Sequence, residues 1–297
     1  MTHPSPKIRK AVIPAAGFGT RFLPMTKAMP KEMLPVVDKP IIQYVVEEAV
    51  AAGVEDIIIV TGWHKRSIED HFDYPFELEK RLLESGKTRQ AEEVRAIAEM
   101  ANFIYLRQKG PLGNATPIMN ARPIIGDEPF LLLWGDDFIK ATPNRSQQLI
   151  DAYHHLGGSV LSAIRTTNDA DARRYGFVAG PEIEPGVVRV EKLIEKPGPE
   201  RRPSDFAIVS GYLFTPEFFE AMDRVPRPAP GEEFVYIDVL NELIKDHPVF
   251  AVEIKDGIYY DTGNKLEYLK ANIDFALARP DLGPDLRDYL EKIINAS

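Results

Sequence analysis

The sequence contains no cysteine, which excludes disulfide bridges, thiolate nucleophiles and cysteine-ligated zinc or iron–sulfur centres. It has no apolar run approaching the roughly 20 residues that a bilayer-spanning helix needs. Its opening Met1–Pro6 carries no apolar signal core, so a cytoplasmic protein with no membrane partner is expected. An excess of positive charge is missing too: 36 Lys+Arg against 45 Asp+Glu leave a net charge of -9. A nucleic-acid partner, which calls for a basic face, is therefore not expected. The six histidines (His3, His64, His71, His154, His155 and His247) show no His-x-x-x-His zinc spacing, and no nucleophile–base pair stands out.

What is present is a core and one unusual stretch. With 297 residues, 44% of them hydrophobic, the chain can bury a substantial interior as one large α/β domain or two smaller ones. Near its start, Lys10-Ala11-Val12-Ile13-Pro14-Ala15-Ala16-Gly17-Phe18-Gly19-Thr20-Arg21 reads as a buried strand emptying into a glycine loop, where bare backbone N–H groups face an anion. Phe22 stands where a dinucleotide fingerprint needs its third glycine, and no Gly-Lys-Ser/Thr follows as a P-loop requires. Instead Arg21 lies in the loop and Lys31 just beyond it, two fixed charges suited to a polyphosphate.

The rest alternates in a βαβ manner. Ile41–Ala52 reads as a helix behind Pro40 and ahead of Gly53, and Asp56–Gly62 as a strand buried on both faces. Residues 65–100 read as mostly helical, a charged and solvated outer face. Strands follow at Phe103–Arg107 and from Pro129 to Trp134, the second ending in Gly135-Asp136-Asp137 at the carboxyl edge, where open α/β sheets bind ligands. A helix from Arg145 and a strand at Ser159–Ile164 complete the first half. Beyond a soft boundary near 168, short segments at 177–179, 187–190 and 207–214 predict a mixed, partly antiparallel portion. Asn264 is placed to cap a helix reaching Ala278, and residues 281–294 form an amphipathic tail that packs on its own chain or on another subunit. Two proline-rich loops, 196–202 and 226–231, are expected to be mobile over the site.

The block Ala-Ala-Gly-x-Gly-Thr-Arg with Pro30-Lys31-Glu32-Met33-Leu34-Pro35-Val36-Val37-Asp38-Lys39-Pro40 resembles the signature of sugar-1-phosphate nucleotidylyltransferases. Lys-Glu rather than Lys-Gln is similar to the bacterial branch that joins UTP to glucose 1-phosphate. The resemblance implies a Rossmann-like open mixed β-sheet flanked by helices, of glycosyltransferase-A type, with a smaller antiparallel sugar-binding portion. Residues 1–168 would hold the nucleotide and 169–297 the sugar phosphate, in one continuous domain. It implies a nucleotide site of Ala15, Ala16, Gly17, Gly19, Thr20, Arg21, Glu32, Gln108 and Gly113, with Glu32 accepting the uracil N3–H and Gln108 and Gly113 framing the base. Gly176, Glu195, Lys196 and Gly211 would hold the sugar phosphate. Arg21, Lys31 and Lys196 would neutralise charge during transfer, and Asp136 and Asp261 would carry Mg²⁺, which takes few carboxylates and fills its other sites with phosphate oxygens and water. Asp261 as a helix N-cap, Asp136–Asp137 as simple turn residues and Gln108 as an ordinary surface amide are the competing readings.

The implied partners are UTP, glucose 1-phosphate, UDP-glucose and pyrophosphate, in a homo-oligomer, dimer or tetramer. Gly113-Asn114-Ala115-Thr116-Pro117 departs from the family's usual Gly-Leu-Gly-His-Ala, which leaves thymidylyl transfer from dTTP open. A non-catalytic nucleotide-sugar sensor is the reading from another class.

Overall fold

The computed structural model describes residues 6–296, so the segment Met1–Ser5 and its His3, read above, lie outside the described residues. An eleven-stranded mixed sheet forms the middle layer. From one edge its order is Glu182–Glu184, Val187–Arg189, Val249–Glu253, Ser159–Arg165, Phe206–Phe214, Phe130–Leu132, Lys10–Ala15, Asp56–Thr61 and Asn102–Arg107, with Gly176–Ala179 and Lys192–Glu195 attached beside Phe206–Phe214. Lys10–Ala15 runs parallel to both its neighbours, Val12 lying opposite Ile58 and Leu132. Phe206–Phe214 is antiparallel to Phe130–Leu132 and to Ser159–Arg165. Residues on both sides of position 168 thus share one sheet.

Strand alternation explains the layering, because successive side chains leave opposite faces. Ala11, Ile13, Ile57 and Ile59 pack on one face with Ile42, Val45, Val46 and Ala49 of helix Ile41–Ala51 and with Leu149 and Ile150 of helix Arg145–Leu156. Val12, Ile58 and Val60 pack on the other with Ile118, Ala121 and Ile125 of helix Thr116–Ile125, and with helices Glu217–Arg224 and Tyr236–Leu243. Two apolar cores sandwich the sheet, so its central strands are apolar between their ends.

The expected elements appear with local changes. The charged stretch divides into three helices, Arg66–His71, Phe76–Glu84 and Thr88–Glu99, interrupted at Pro75 and at Gly86, whose φ of 74° suits glycine. It is not wholly a solvated face: Lys65 at its start is fully buried. The strand from Pro129 stops at Leu132, and the following turn delivers the acids. Asn264 caps helix Lys265–Leu277, its Oδ1 accepting from Leu266 N at 2.8 Å, which removes the N-cap reading of Asp261. In helix Gly283–Ala296, Leu286 and Leu290 are half-buried while Tyr289 and Ile294 are exposed. Among the described residues no helix is long and apolar enough to cross a membrane.

Ile58 sits in the middle of the sheet with no exposed surface. Ile58→Ala is expected to lower unfolding free energy by about 2–5 kcal/mol in a urea titration.

Candidate active site

The loop after Lys10–Ala15 and the turn after Phe130–Leu132 both lie at the carboxyl ends of neighbouring parallel strands. The loop after Lys10–Ala15 doubles back on Lys31. At Gly19, φ is 66°, and a Cβ there would lie 3.0 Å from the Cβ of Lys31. Gly17 faces the lysine head more loosely, a Cβ there meeting Lys31 Cε at 3.7 Å. Thr26 fastens the loop by donating its hydroxyl to the Gly19 carbonyl at 2.7 Å. Gly19 is needed because its backbone is left-handed and the lysine stem crowds the space a side chain would take, whereas the room at Gly17 would admit a Cβ.

Lys31 reaches across to the turn after Phe130–Leu132 and donates Nζ to Asp136 Oδ2 at 2.5 Å. Burial acts to raise the Asp136 pKa, but the ion pair and hydrogen bond to Lys31, with Arg21 behind, hold it below the usual carboxylate range. Burial also acts to lower Lys31, and Asp136 and Glu32 outweigh it, so the ammonium stays protonated. Arg21 arrives from the glycine loop onto the last landmark: a Cβ at Gly263 would fall 2.6 Å from its Nη2 and 3.1 Å from Asp261 Oδ1. Asp261 Oδ2 accepts from Arg174 Nη2 at 2.7 Å, and the Thr262 hydroxyl donates to the Asp136 carbonyl. Arg21, Lys31, Asp136 and Asp261 therefore occupy one neighbourhood.

Beneath it lies a pair that sequence reasoning missed. Lys65 donates Nζ to Glu32 Oε2 at 2.7 Å, and neither side chain has any exposed surface. Burial pulls the Lys65 pKa down and pushes Glu32 up, each partner restraining the other. Glu32, expected at the uracil edge, has no surface left with which to meet a base. Its second oxygen, Oε1, is buried without a hydrogen-bond partner. The reason is packing: Glu32 fills the room left by the missing side chain of Gly135, where a Cβ would lie 3.1 Å from Glu32 Cγ. A run of charge beginning at Lys65 looked like surface; only its tertiary partner marks it as interior.

Of the residues expected to hold a sugar phosphate, Gly176 and Glu195 are paired residues of adjacent strands, with a Cβ at Gly176 3.1 Å from Glu195 Oε2. Lys196 follows with φ at 44°, its N–H donating to the Tyr175 carbonyl at 3.1 Å, and its ammonium lies 3.2 Å from Glu195 in an exposed pair. Tyr175 contacts Tyr259 edge-to-face at 5.9 Å, and the Tyr259 hydroxyl stands 3.5 Å from Asp137. Lys196 thus joins the acidic turn through two tyrosines rather than by direct contact. Asp137 is not a plain turn residue: burial pushes its carboxyl up to about 7, with Arg145 pulling the other way. At Gly211 the space for a side chain is filled by Arg145, 2.6 Å away at Cδ.

The loop around Gly113, expected to frame a base, is fastened from a distance. Phe234 N–H donates to Leu112 O at 2.7 Å and Ala115 N–H to Phe234 O at 3.0 Å. Asn114 Oδ1 accepts from Tyr236 N at 2.9 Å, which caps helix Tyr236–Leu243. A Cβ at Gly113, where φ is 120°, would fall 2.1 Å from the Phe234 carbonyl oxygen. Asn114, a departure from the resembled pattern, therefore has a structural task. The proline loops are also held, Gly198 N–H donating to Ala172 O at 2.9 Å and Arg227 lying over the Phe234 ring at 5.2 Å. A cavity of about 1090 Å³ lies at the Asn102–Arg107 edge, where Glu55, Glu69, Asp70, Asp73 and Glu99 outnumber Arg66, a balance that repels polyphosphate.

The nucleotidyl transferase family matches residues 10–276. The chain belongs to that family. Among curated relatives of this nucleotidyl transferase, the UTP--glucose-1-phosphate uridylyltransferase YngB of Bacillus subtilis is 45% identical over 288 residues, covering 97% of this chain and 96% of its own. Among solved structures, a UDP-glucose pyrophosphorylase complexed with UDP-glucose superposes with a TM-score of 0.81 at 36% identity, over 92% of this chain and 100% of that one. A UTP-bound UGPase from Acinetobacter baumannii gives 0.87 at 33% identity, over 96% and 99%.

Removing one partner of the buried pair leaves an uncompensated interior charge. Lys65→Met is expected to cost about 3–5 kcal/mol in a denaturant titration, and adding Glu32→Leu to recover most of that loss.

Proposed function

We propose that this chain transfers a uridylyl group from UTP to glucose 1-phosphate, giving UDP-glucose and pyrophosphate. The observation that carries the reading is the convergence of Arg21, Lys31, Asp136 and Asp261 beside a glycine loop, in a chain whose curated relatives carry that activity in their names. A phosphate monoester with a second pKa of about 6 is already largely dianionic at neutral pH, so no general base is required. An oxygen of glucose 1-phosphate attacks the α-phosphorus in line; its new P–O bond forms as the bond to the β-phosphate oxygen breaks and pyrophosphate departs. Alignment and charge neutralisation are the protein's work.

The residues divide that work. Backbone amides of residues 16–20 with Arg21 hold the triphosphate, while Ala15, Gly17, Gly19 and Thr20 shape the loop. Lys31 leaves Asp136 for the α-phosphate and the departing group. Gln108 and Gly113 frame the uracil. Glu32 takes a different part from that suggested by resemblance: paired with Lys65, it fixes the turn from which Lys31 extends. Gly176, Glu195 and Gly211 border the sugar, and Lys196 offsets repulsion between the two anions. Residues up to 168 serve the nucleotide and residues 169–297 the sugar phosphate.

Asp136 and Asp261 offer oxygen donors only, and Asp137 Oδ1 beside them is buried without a hydrogen-bond partner, a donor set that fits a hard divalent cation such as Mg²⁺. Among the described residues no group of three or more His, Cys, Asp and Glu could hold a metal by itself, which suits an ion that shares its coordination with substrate phosphates. Bound there, Mg²⁺ supplies charge stabilisation to the transferring phosphate. We place the enzyme in the cytoplasm and read it as a homo-oligomer, the exposed Leu269, Tyr289 and Ile294 of the last two helices being the apolar surface available for a second copy.

Two experiments test the reading. Pyrophosphate release on mixing the chain with Mg²⁺ and glucose 1-phosphate is expected with UTP and to be about tenfold or more slower with dTTP; a faster rate with dTTP reverses the assignment of the base, and no release with either leaves a sensor. Lys196→Ala is expected to fold normally and lose about 10²-fold in kcat; turnover within a few-fold of the parent removes Lys196 from the reaction.

A further inference from the structure

Arg145 heads the fully buried large side chains, and none of the roles above uses it. Its Nε and Nη2 donate to the two oxygens of Glu48 on helix Ile41–Ala51, each at 3.0 Å. Glu48 Oε1 is held in turn by Ser146 N at 3.0 Å and Ser146 Oγ at 2.7 Å. The third nitrogen, Nη1, donates to the Ser210 carbonyl at 2.8 Å and lies 3.7 Å from Asp137 Oδ1.

The Ser210 carbonyl belongs to an irregularity in the sheet. Along Phe206–Phe214, Ile208 pairs with Ala163 but Tyr212 pairs with Leu161, so residues 209–211 bulge out of register. A bulge re-aims backbone beside a site and leaves groups that need partners. Here the freed Ser210 carbonyl accepts from Arg145 and from Ser162 Oγ at 2.7 Å, and Gly211, with φ at 103°, lacks the Cβ that would strike the arginine stem. Immediately past the bulge, Tyr212 pairs with Leu132, whose strand leads to Asp136 and Asp137.

We propose that Arg145, oriented by Glu48, is a positioning residue of the transfer: its fork fixes the bulged backbone at Ser210–Gly211 against the Asp136–Asp137 turn and so sets the sugar-phosphate side of the site. The proposal rests on the uridylyl-transfer reading. A lysine here keeps the charge but not a planar fork that serves two directions at once. Small displacements of such backbone misalign the reacting groups and slow the reaction.

The test measures, for the parent, Arg145→Lys and Glu48→Gln, the thermal midpoint, the equilibrium dissociation constant for UTP, and kcat and KM for glucose 1-phosphate by pyrophosphate release. Folded Arg145→Lys is expected to raise KM for glucose 1-phosphate or lower kcat by about tenfold or more, with UTP binding within threefold of the parent. Should it fail to fold, Glu48→Gln, which keeps the shape and loosens one side of the fork, is read on the same scale with the same direction expected. An active parent whose folded variants keep kcat and KM within threefold, or lose UTP binding in equal measure, overturns the positioning role alone. A parent that releases no pyrophosphate overturns the reading on which it stands.

Discussion

A charge taken out of water must be met by an opposite one, and this requirement organises the whole carboxyl edge of the sheet. Among the ion pairs there are Lys31 with Asp136, Lys65 with Glu32, Arg174 with Asp261 and Arg145 with Glu48. None is formed within one element. Lys31 and Asp136 are 105 positions apart and Lys65 and Glu32 are 33, and Arg145 and Glu48 join two helices, so each pair ties together segments distant in sequence. Breaking such a pair strands a desolvated charge. Under the proposed function, the Lys31–Asp136 pair also keeps a cation at hand for phosphates, since an ammonium that already pairs with a carboxylate exchanges one anion for another when substrate enters.

The pairs are graded by depth. Lys65–Glu32 and Arg145–Glu48 are interior and fixed. Lys31–Asp136 is partly exposed, and Glu195–Lys196 lies at the surface, where an ion pair contributes little to stability and is easily rearranged. Rigidity thus lies under the site and adaptability at its mouth, an order suited to a reaction in which positioning does most of the work.

Much of this was legible from local pattern. The apolar strands, the helix behind Pro40, the Asn264 cap and the placing of Asp136 at a strand end all depend on neighbours in sequence, and the family signature brought the loop and its cations together. What escaped depended on distant partners. Lys65 opens a charged run and has nothing in its own neighbourhood to mark it as buried; its partner Glu32 was given to the base for the same reason. Asn114 reads as a departure until Tyr236, 122 positions on, supplies the N–H it accepts from. That the room a Gly211 side chain would take is filled by Arg145 is likewise set by a distant partner. The short strands Glu182–Glu184 and Lys192–Glu195 were missed because so few residues carry no period.

The central claim is that Arg21, Lys31 and the glycine-loop amides form the seat of a nucleotide triphosphate. Its most direct test is a crystal structure of the chain soaked with UTP. The account predicts the α-phosphate within hydrogen-bonding reach of Lys31, with the outer phosphates against Arg21 and the backbone of residues 16–20. A triphosphate bound elsewhere, with Lys31 still paired to Asp136, would contradict it.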